Sequence, residues 1–211
     1  MKRFEEYAQL IPAQRERRAN HHTLLSCVLP RPIAFVSTLS PEGVANLAPF
    51  SFFNAMASNP PTLVFGPATK ADTNEKDTVR NLLHLGECVV NVVTYEMRVA
   101  MNQASFPYPP DVSEFEKAGF TALPSRLVKP PRVAESPVHM ECRLDQIVKI
   151  GSGGLAGNIC IVEVLCFHIA DEICLPDGTA DVNKIDLIAR LGGDGYSTMR
   201  DRFDLPKPTQ P

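Results

Sequence analysis

The sequence predicts a mainly β domain with peripheral helices, its strands wound as an antiparallel barrel, and three observations carry that expectation. Nineteen prolines and no Trp among 211 residues argue against long helices. Short apolar runs recur between turn residues, and neighbouring runs are joined by hairpin signals rather than by crossover lengths. With 44 % hydrophobic and 21 % charged side chains, the chain has enough apolar material for one full core.

Residues 1–30 read as a helical or irregular extension in which Phe4, Tyr7 and Leu10 are spaced to dock one face. The domain proper spans 31–200. A first strand over 33–39 runs into Ser40-Pro41-Glu42-Gly43, where Pro presets φ and Gly accepts a positive φ, and a second strand follows over 44–53. Asn59-Pro60-Pro61 introduces a third strand over 62–65. A helix is expected over 77–85, with Val79, Leu82 and Leu83 on one face. Asn74, Asp77 or Thr78 would cap its start and Gly86 would end it. Residues 87–93 read as a strand and 95–102 as a short helix.

The stretch 103–136 carries Pro107, Pro109, Pro110, Pro124, Pro130 and Pro131, and is expected to be a functional excursion or lid. Two long strands come next. In the first, Val138, Met140, Cys142 and Leu144 alternate with His139, Glu141, Arg143 and Asp145, which predicts an apolar face and a polar one. The second, over 159–170, is apolar on both faces apart from Glu163 and His168 and should be central. Residues 185–190 suggest a short helix ending at Leu191-Gly192-Gly193, and 201–211 a frayed tail.

Composition excludes several function classes. Twenty-one basic against 24 acidic residues, a net charge of −3, provide no field for a nucleic-acid backbone. No apolar run approaches the ~18 residues of a membrane span, and the N-terminus has no apolar signal core, so a cytoplasmic protein without a membrane partner is expected. The six cysteines form no CxxC and read as small core residues. No GxxxxGK[ST] or GxSxG occurs. Gly151-Ser152-Gly153-Gly154-Leu155-Ala156 matches GxGxxA but precedes a strand-like run, so a hairpin turn is expected there instead of a dinucleotide loop. The five histidines offer no HxxxH or HExxH pair, and no metal site is expected.

Two segments could carry chemistry. In 46–61, small, hydroxyl and amide residues interleave with Phe50, Phe52 and Phe53, which suits a planar, heteroatom-edged ring; a strand entering a bulged loop explains the same pattern. Lys76-Asp77-Thr78 opens the amphipathic helix, where amide N–H groups and the helix dipole attract a phosphate; a simple cap is the alternative.

Taken together and in order, Arg31-Pro32-Ile33-Ala34-Phe35-Val36-Ser37-Thr38, Asn46-Leu47-Ala48-Pro49-Phe50-Ser51-Phe52-Phe53-Asn54, Lys76-Asp77-Thr78, the 131–142 strand entry and Arg190-Leu191-Gly192-Gly193 resemble the flavin reductase-like family of FMN-binding split barrels. The resemblance implies a homodimer of six-stranded Greek-key split barrels, each holding FMN near the interface. Ala48, Pro49, Phe50, Ser51, Phe52, Phe53 and Asn54 would line the ring and ribityl chain. Lys76, Asp77 and Thr78 would meet the phosphate or ring edge, Ser37, Thr38 and Asn46 would approach from neighbouring strands, and Arg190 would close the site. The implied activity is hydride transfer from NADH or NADPH to flavin, with chemistry at the flavin and no catalytic side chain. An electron carrier of the flavoredoxin type and a non-catalytic dimeric binding module are the alternatives. Several reductases of the family carry a His before the late long strand, where this chain has Gly157-Asn158.

Overall fold

The computed structural model describes residues 7–70 and 74–208; the expected docking residue Phe4 lies outside them. The main sheet has seven antiparallel strands in the order β2-β1-β5-β8-β9-β4-β3. They are β1 (Ala34–Leu39), β2 (Ala45–Phe50), β3 (Phe53–Ser58), β4 (Pro61–Phe65), β5 (Glu87–Asn91), β8 (Val138–Ile150) and β9 (Gly157–Ile169). Two small hairpins, β6 (Ala122–Leu123) with β7 (Arg132–Val133) and β10 (Ile188–Arg190) with β11 (Tyr196–Thr198), stand apart from it. The helices are α1 (Arg17–Cys27), α2 (Asp77–Leu85), α3 (Arg98–Gln103) and α4 (Glu114–Ala118).

The edge strands β2 and β3 are consecutive in sequence, with only Ser51 and Phe52 between them. The sheet must therefore curl until its two edges meet there, and Phe50 of β2 stacks on Phe65 of β4 with ring centroids 5.6 Å apart. Strand alternation then sorts the core. Ala34, Val36 and Phe50 face an inner cluster with Phe65, Val90, Cys142 and Val162, closed by Val79 and Leu82 of α2. Phe35 and Leu47 point the other way, into an outer cluster with Met101 of α3, Phe115 of α4 and Phe120.

Several expectations are corrected. The main sheet has seven strands, not six, because the run expected as one strand over 44–53 breaks at Ser51-Phe52 and resumes as β3, a hairpin partner of β4. Residues 185–190 do not form a helix. Three residues of the segment pair as β10 with β11, and Arg31 bridges Arg190, so ladder bonds replace a helix too short to persist alone. The polar face expected on β8 is not solvent-facing throughout: Glu141 and His139 are buried while Arg143 and Asp145 are exposed. Cys88, Cys142 and Cys160 are core residues as expected, but Cys27 and Cys174 are exposed and Cys166 is half-buried; all six are free thiols.

The expected turns and the interior place of the second long strand hold. Gly43 (φ 84°) turns the β1–β2 hairpin, and Gly86 ends α2 in the left-handed region (φ 73°) while its N–H bonds Leu82 O. Residues 151–156 link β8 to β9 as a hairpin, and β9 is interior to the sheet. No helix among the described residues is long and apolar enough to cross a membrane.

Candidate functional site

Three clefts that share residues run from the outer edge of β2 to the Ser51-Phe52 connection and the start of β3. The first, about 190 Å³, is lined by Asn46, Ala48, Pro49, Phe50, Lys70, the start of α2 (Lys76, Asp77, Thr78) and the excursion residues 104–108 with Glu114. Pro49 also lines the second, about 180 Å³, with Ser51, Met101, Asn102, Arg190 and Tyr196. Ser51 continues into the third, about 290 Å³, with Arg31, Phe52, Phe53 and Asn54.

Edge geometry explains why a cleft can exist here. Ladder bonds alternate, so Ala45, Leu47 and Pro49 turn their backbone groups away from β1. Glu114 Oε2 accepts the Leu47 N–H (2.9 Å) and Ser113 Oγ donates to Ala45 O (2.6 Å), which seals the first part of the edge with the start of α4. Pro49 has no N–H to satisfy, so the edge stays open beside it.

At one end, the N-cap position of α2 is taken by Lys76, whose side chain makes no cap hydrogen bond, rather than by Asn74, Asp77 or Thr78 as expected. Lys76, Asp77 and Thr78 line the cleft, which puts the positive dipole end of α2 beside it, while the Val79 N–H is taken up by Lys76 O (3.0 Å). Asp77 is engaged by Lys70 at 3.4 Å and by Arg80, whereas Lys76 makes no ion pair among the described residues. Asn46 organises the floor: its Nδ2 donates to Thr38 Oγ1 (3.2 Å) and Thr78 Oγ1 (3.1 Å), and Asn81 Nδ2 donates to the same Thr38 oxygen (3.0 Å).

Of the expected site residues, Asn46, Ala48, Pro49, Phe50, Lys76, Asp77 and Thr78 meet in the first cleft, and Ser51, Phe52, Phe53, Asn54 and Arg190 in the other two. Thr38 is fully buried and reaches the site only through Asn46. Ser37 is a correction. Neighbouring strand residues face opposite sides, and its hydroxyl donates to Pro131 O away from all three clefts. Asn158 lines none of them either; it is buried and donates to Pro67 O (3.2 Å) and Glu75 Oε2 (3.0 Å).

Three contributions escaped the sequence reading. Phe106 and Tyr108, rings 4.9 Å apart, bring the excursion over the first cleft. Arg31 is buried without a carboxylate; its guanidinium donates to Leu25 O (2.9 Å), Val28 O (2.8 Å) and Leu191 O (2.9 Å), and Nε to Ser51 Oγ (3.4 Å). Burial, followed by the nearby Arg190, lowers its pKa. Glu114 is the third: burial pushes its carboxyl up, against the opposing Leu47 N–H.

A raised folded pKa means the fold favours protonated Glu114. Its contribution is full below the ordinary carboxylate range and is lost as pH rises through the folded value. Glu114→Gln keeps an acceptor for Leu47 and is expected to flatten the dependence of Tm on pH between mildly acid and neutral conditions, with a higher Tm than wild type at neutral pH. Parallel curves for the two proteins would refute this assignment.

The family model for the flavin reductase like domain matches residues 25–176. The chain belongs to the flavin reductase-like family. That match stops short of Arg190, whose place in the site rests on the cleft alone. An uncharacterised protein of Halalkalibacterium halodurans is 39 % identical over 203 residues, covering 95 % of this chain and 97 % of its own. The crystal structure of nitrilotriacetate monooxygenase component B from Bacillus cereus superposes with a TM-score of 0.90 at 32 % identity, covering 96 % of this chain and all of that one. The 2-nitrobenzoate 2-nitroreductase of Pseudomonas fluorescens gives 0.86 at 28 % identity, covering 96 % and 97 %. This flavin reductase-like chain is thus a flavin-related oxidoreductase built on a mainly β fold with a seven-stranded antiparallel sheet.

Proposed function

We propose that this flavin reductase-like chain binds FMN along the β2 edge and uses NADH or NADPH to reduce it. The observation that carries the reading is the joined run of clefts, with the start of α2 and Lys76, which makes no ion pair among the described residues, at one end and aromatic side chains at the other. An elongated ligand with an anionic tail and a flat ring fits that donor and surface distribution.

Bound flavin would supply the hydride-accepting centre. The chain's own residues bind and orient. Lys76 and the first-turn N–H groups of α2 hold the phosphate. Asn46, fixed by Thr38 and Thr78, presents its amide to the ligand, and Pro49 and Phe50 form the wall beside it. Phe106 and Tyr108 cover the cleft and exclude water. Arg190, stacked 4.5 Å from the Tyr196 ring centroid, closes the middle of the run.

The reading includes a homodimer. The outer edge of β3 has no ladder partner among the described residues, and Met56 on it is 58 % exposed. Sedimentation at micromolar concentration tests this and should give twice the chain mass.

Lys76→Ala is expected to weaken FMN roughly tenfold, about 1.4 kcal/mol, and riboflavin hardly at all. Equal losses for the two ligands would place Lys76 at the ring. The function is tested by anaerobic addition of NADH and NADPH to the FMN-loaded protein. Loss of the yellow absorbance supports a reductase. Flavin that dithionite bleaches and neither nicotinamide does would instead show an electron carrier fed by a protein.

A further inference from the structure

On one face of the β8–β9 ladder, His139 stands opposite His168 and Glu141 opposite Cys166, so four side chains able to ligate a metal form a square of two i, i+2 pairs. Helical spacings such as HxxxH and HExxH do not capture His-x-Glu and Cys-x-His, which share a face on strands. Ligand atoms of Glu141, Cys166 and His168 all lie within 4.8 Å of one another. Glu141 Oε1 is 2.6 Å from His168 Nε2.

The fourth corner has an unmet need. His139 is 7 % exposed and its Nε2 lies 2.8 Å from Val133 O. A carbonyl only accepts, so Nε2 carries the proton and Nδ1 a lone pair. That Nδ1 is buried with no hydrogen-bond partner, on a ring 6.0 Å from the His168 ring. An imidazole that donates one N–H to a backbone carbonyl and keeps the other nitrogen bare has the arrangement of a metal-bound histidine. Glu141 is oriented in the same manner by the N–H groups of Arg126 (2.7 Å), Leu127 (2.6 Å) and Val128 (3.2 Å).

We propose that Glu141, Cys166 and His168 form the core of a binding site for one divalent transition-metal ion of the zinc type, separate from the flavin clefts, and that His139, whose ligand atoms stand outside that close trio, turns its free Nδ1 in as the fourth ligand. Two imidazoles, one thiolate and one carboxylate suit tetrahedral Zn²⁺, whereas calcium and magnesium require oxygen donors. The ion takes the place of the hydrogen at His168 Nε2, whose proton moves to Nδ1 of the same neutral ring by exchange with solvent, and Cys166 releases its thiol proton to solvent. Through Glu141 the ion also fixes residues 126–128, tying the proline-rich excursion to the sheet. None of the four residues lines the β2 clefts, so the site stands independently of the flavin reading.

The test is titration of the chelator-stripped, full-length protein with Co²⁺, then Zn²⁺. One Co²⁺ per chain with a thiolate-to-metal charge-transfer band, abolished by Zn²⁺, is expected. Cys166→Ser should remove the band, and His168→Gln should weaken binding by at least about tenfold. His21→Gln should change neither. In the wild-type protein Zn²⁺ should also shield Cys166 from alkylation while Cys27 and Cys174 still react, a readout that needs no variant. Absence of stoichiometric binding, a band that persists in Cys166→Ser, or alkylation of Cys166 unaffected by Zn²⁺ would overturn the proposal.

Discussion

Arg31→Ala is expected to destabilise the protein by about 2–4 kcal/mol, because hydrogen bonds to a buried charged group are worth about 1.5–3 kcal/mol each and do not add fully. The guanidinium joins three parts of the chain. It satisfies Leu25 O and Val28 O at the end of α1, Leu191 O beside the β10–β11 hairpin, and Ser51 Oγ between the two edge strands. Those α1 carbonyls lie at the negative end of the helix dipole and partly offset a charge that no carboxylate among the described residues meets. Removing the side chain leaves three carbonyls unpaired and detaches α1 from Gly192, where an added Cβ would come within 3.6 Å of Ser26 Cα. Flavin affinity should fall as well, since Arg31 and Ser51 share the third cleft. Arg31→Lys should recover little, because an ammonium cannot reproduce the fork that reaches Leu25, Val28 and Leu191 together. Urea unfolding measures the effect, and a loss below about 0.5 kcal/mol, the range of an ordinary surface substitution, would contradict it.

Asn46→Ala is expected to lower FMN affinity by roughly 10- to 100-fold, about 1.4–2.8 kcal/mol, while costing global stability only about 1–2 kcal/mol. Asn46 is where β1, β2 and α2 meet: one amide nitrogen bridges Thr38 and Thr78, and Asn81 reinforces Thr38 from the helix side. Without that bridge the start of α2 loses its tie to the β2 edge, and the phosphate and ring ends of the cleft lose their fixed spacing. Thr38→Val is expected to show a smaller affinity loss, because among the described residues its hydroxyl bonds only the two asparagines. Isothermal titration with FMN distinguishes the two variants; equal affinities for Asn46→Ala and wild type would remove Asn46 from the site.

Where a local pattern has a single physical reading, the sequence was legible. The β1–β2 hairpin, the amphipathic α2 with its glycine stop and the long β8–β9 hairpin each follow from period or turn chemistry. The cluster of Asn46 to Asn54 with Lys76 to Thr78 was legible as a resemblance, and the fold brings both segments to one edge. The errors have equally local causes. Ser37 and Thr38 were assigned together although a strand cannot point both the same way. Residues 185–190 have apolar spacing compatible with a helix, but their bonds are made to Arg31 and β11 far away in sequence. Glu141 looks solvent-facing by alternation, and only the excursion folding over it supplies the three N–H donors that make its burial tolerable. Phe106, Tyr108 and Glu114 enter the site because that same excursion folds back, which no spacing rule encodes.

Titration of FMN with the purified protein, followed by flavin fluorescence, tests the central claim most directly. The β2-edge cleft predicts saturable quenching at one FMN per chain, weakened in both Asn46→Ala and Lys76→Ala. Fluorescence that stays unquenched as protein is added in excess, or quenching that neither variant alters, would contradict it.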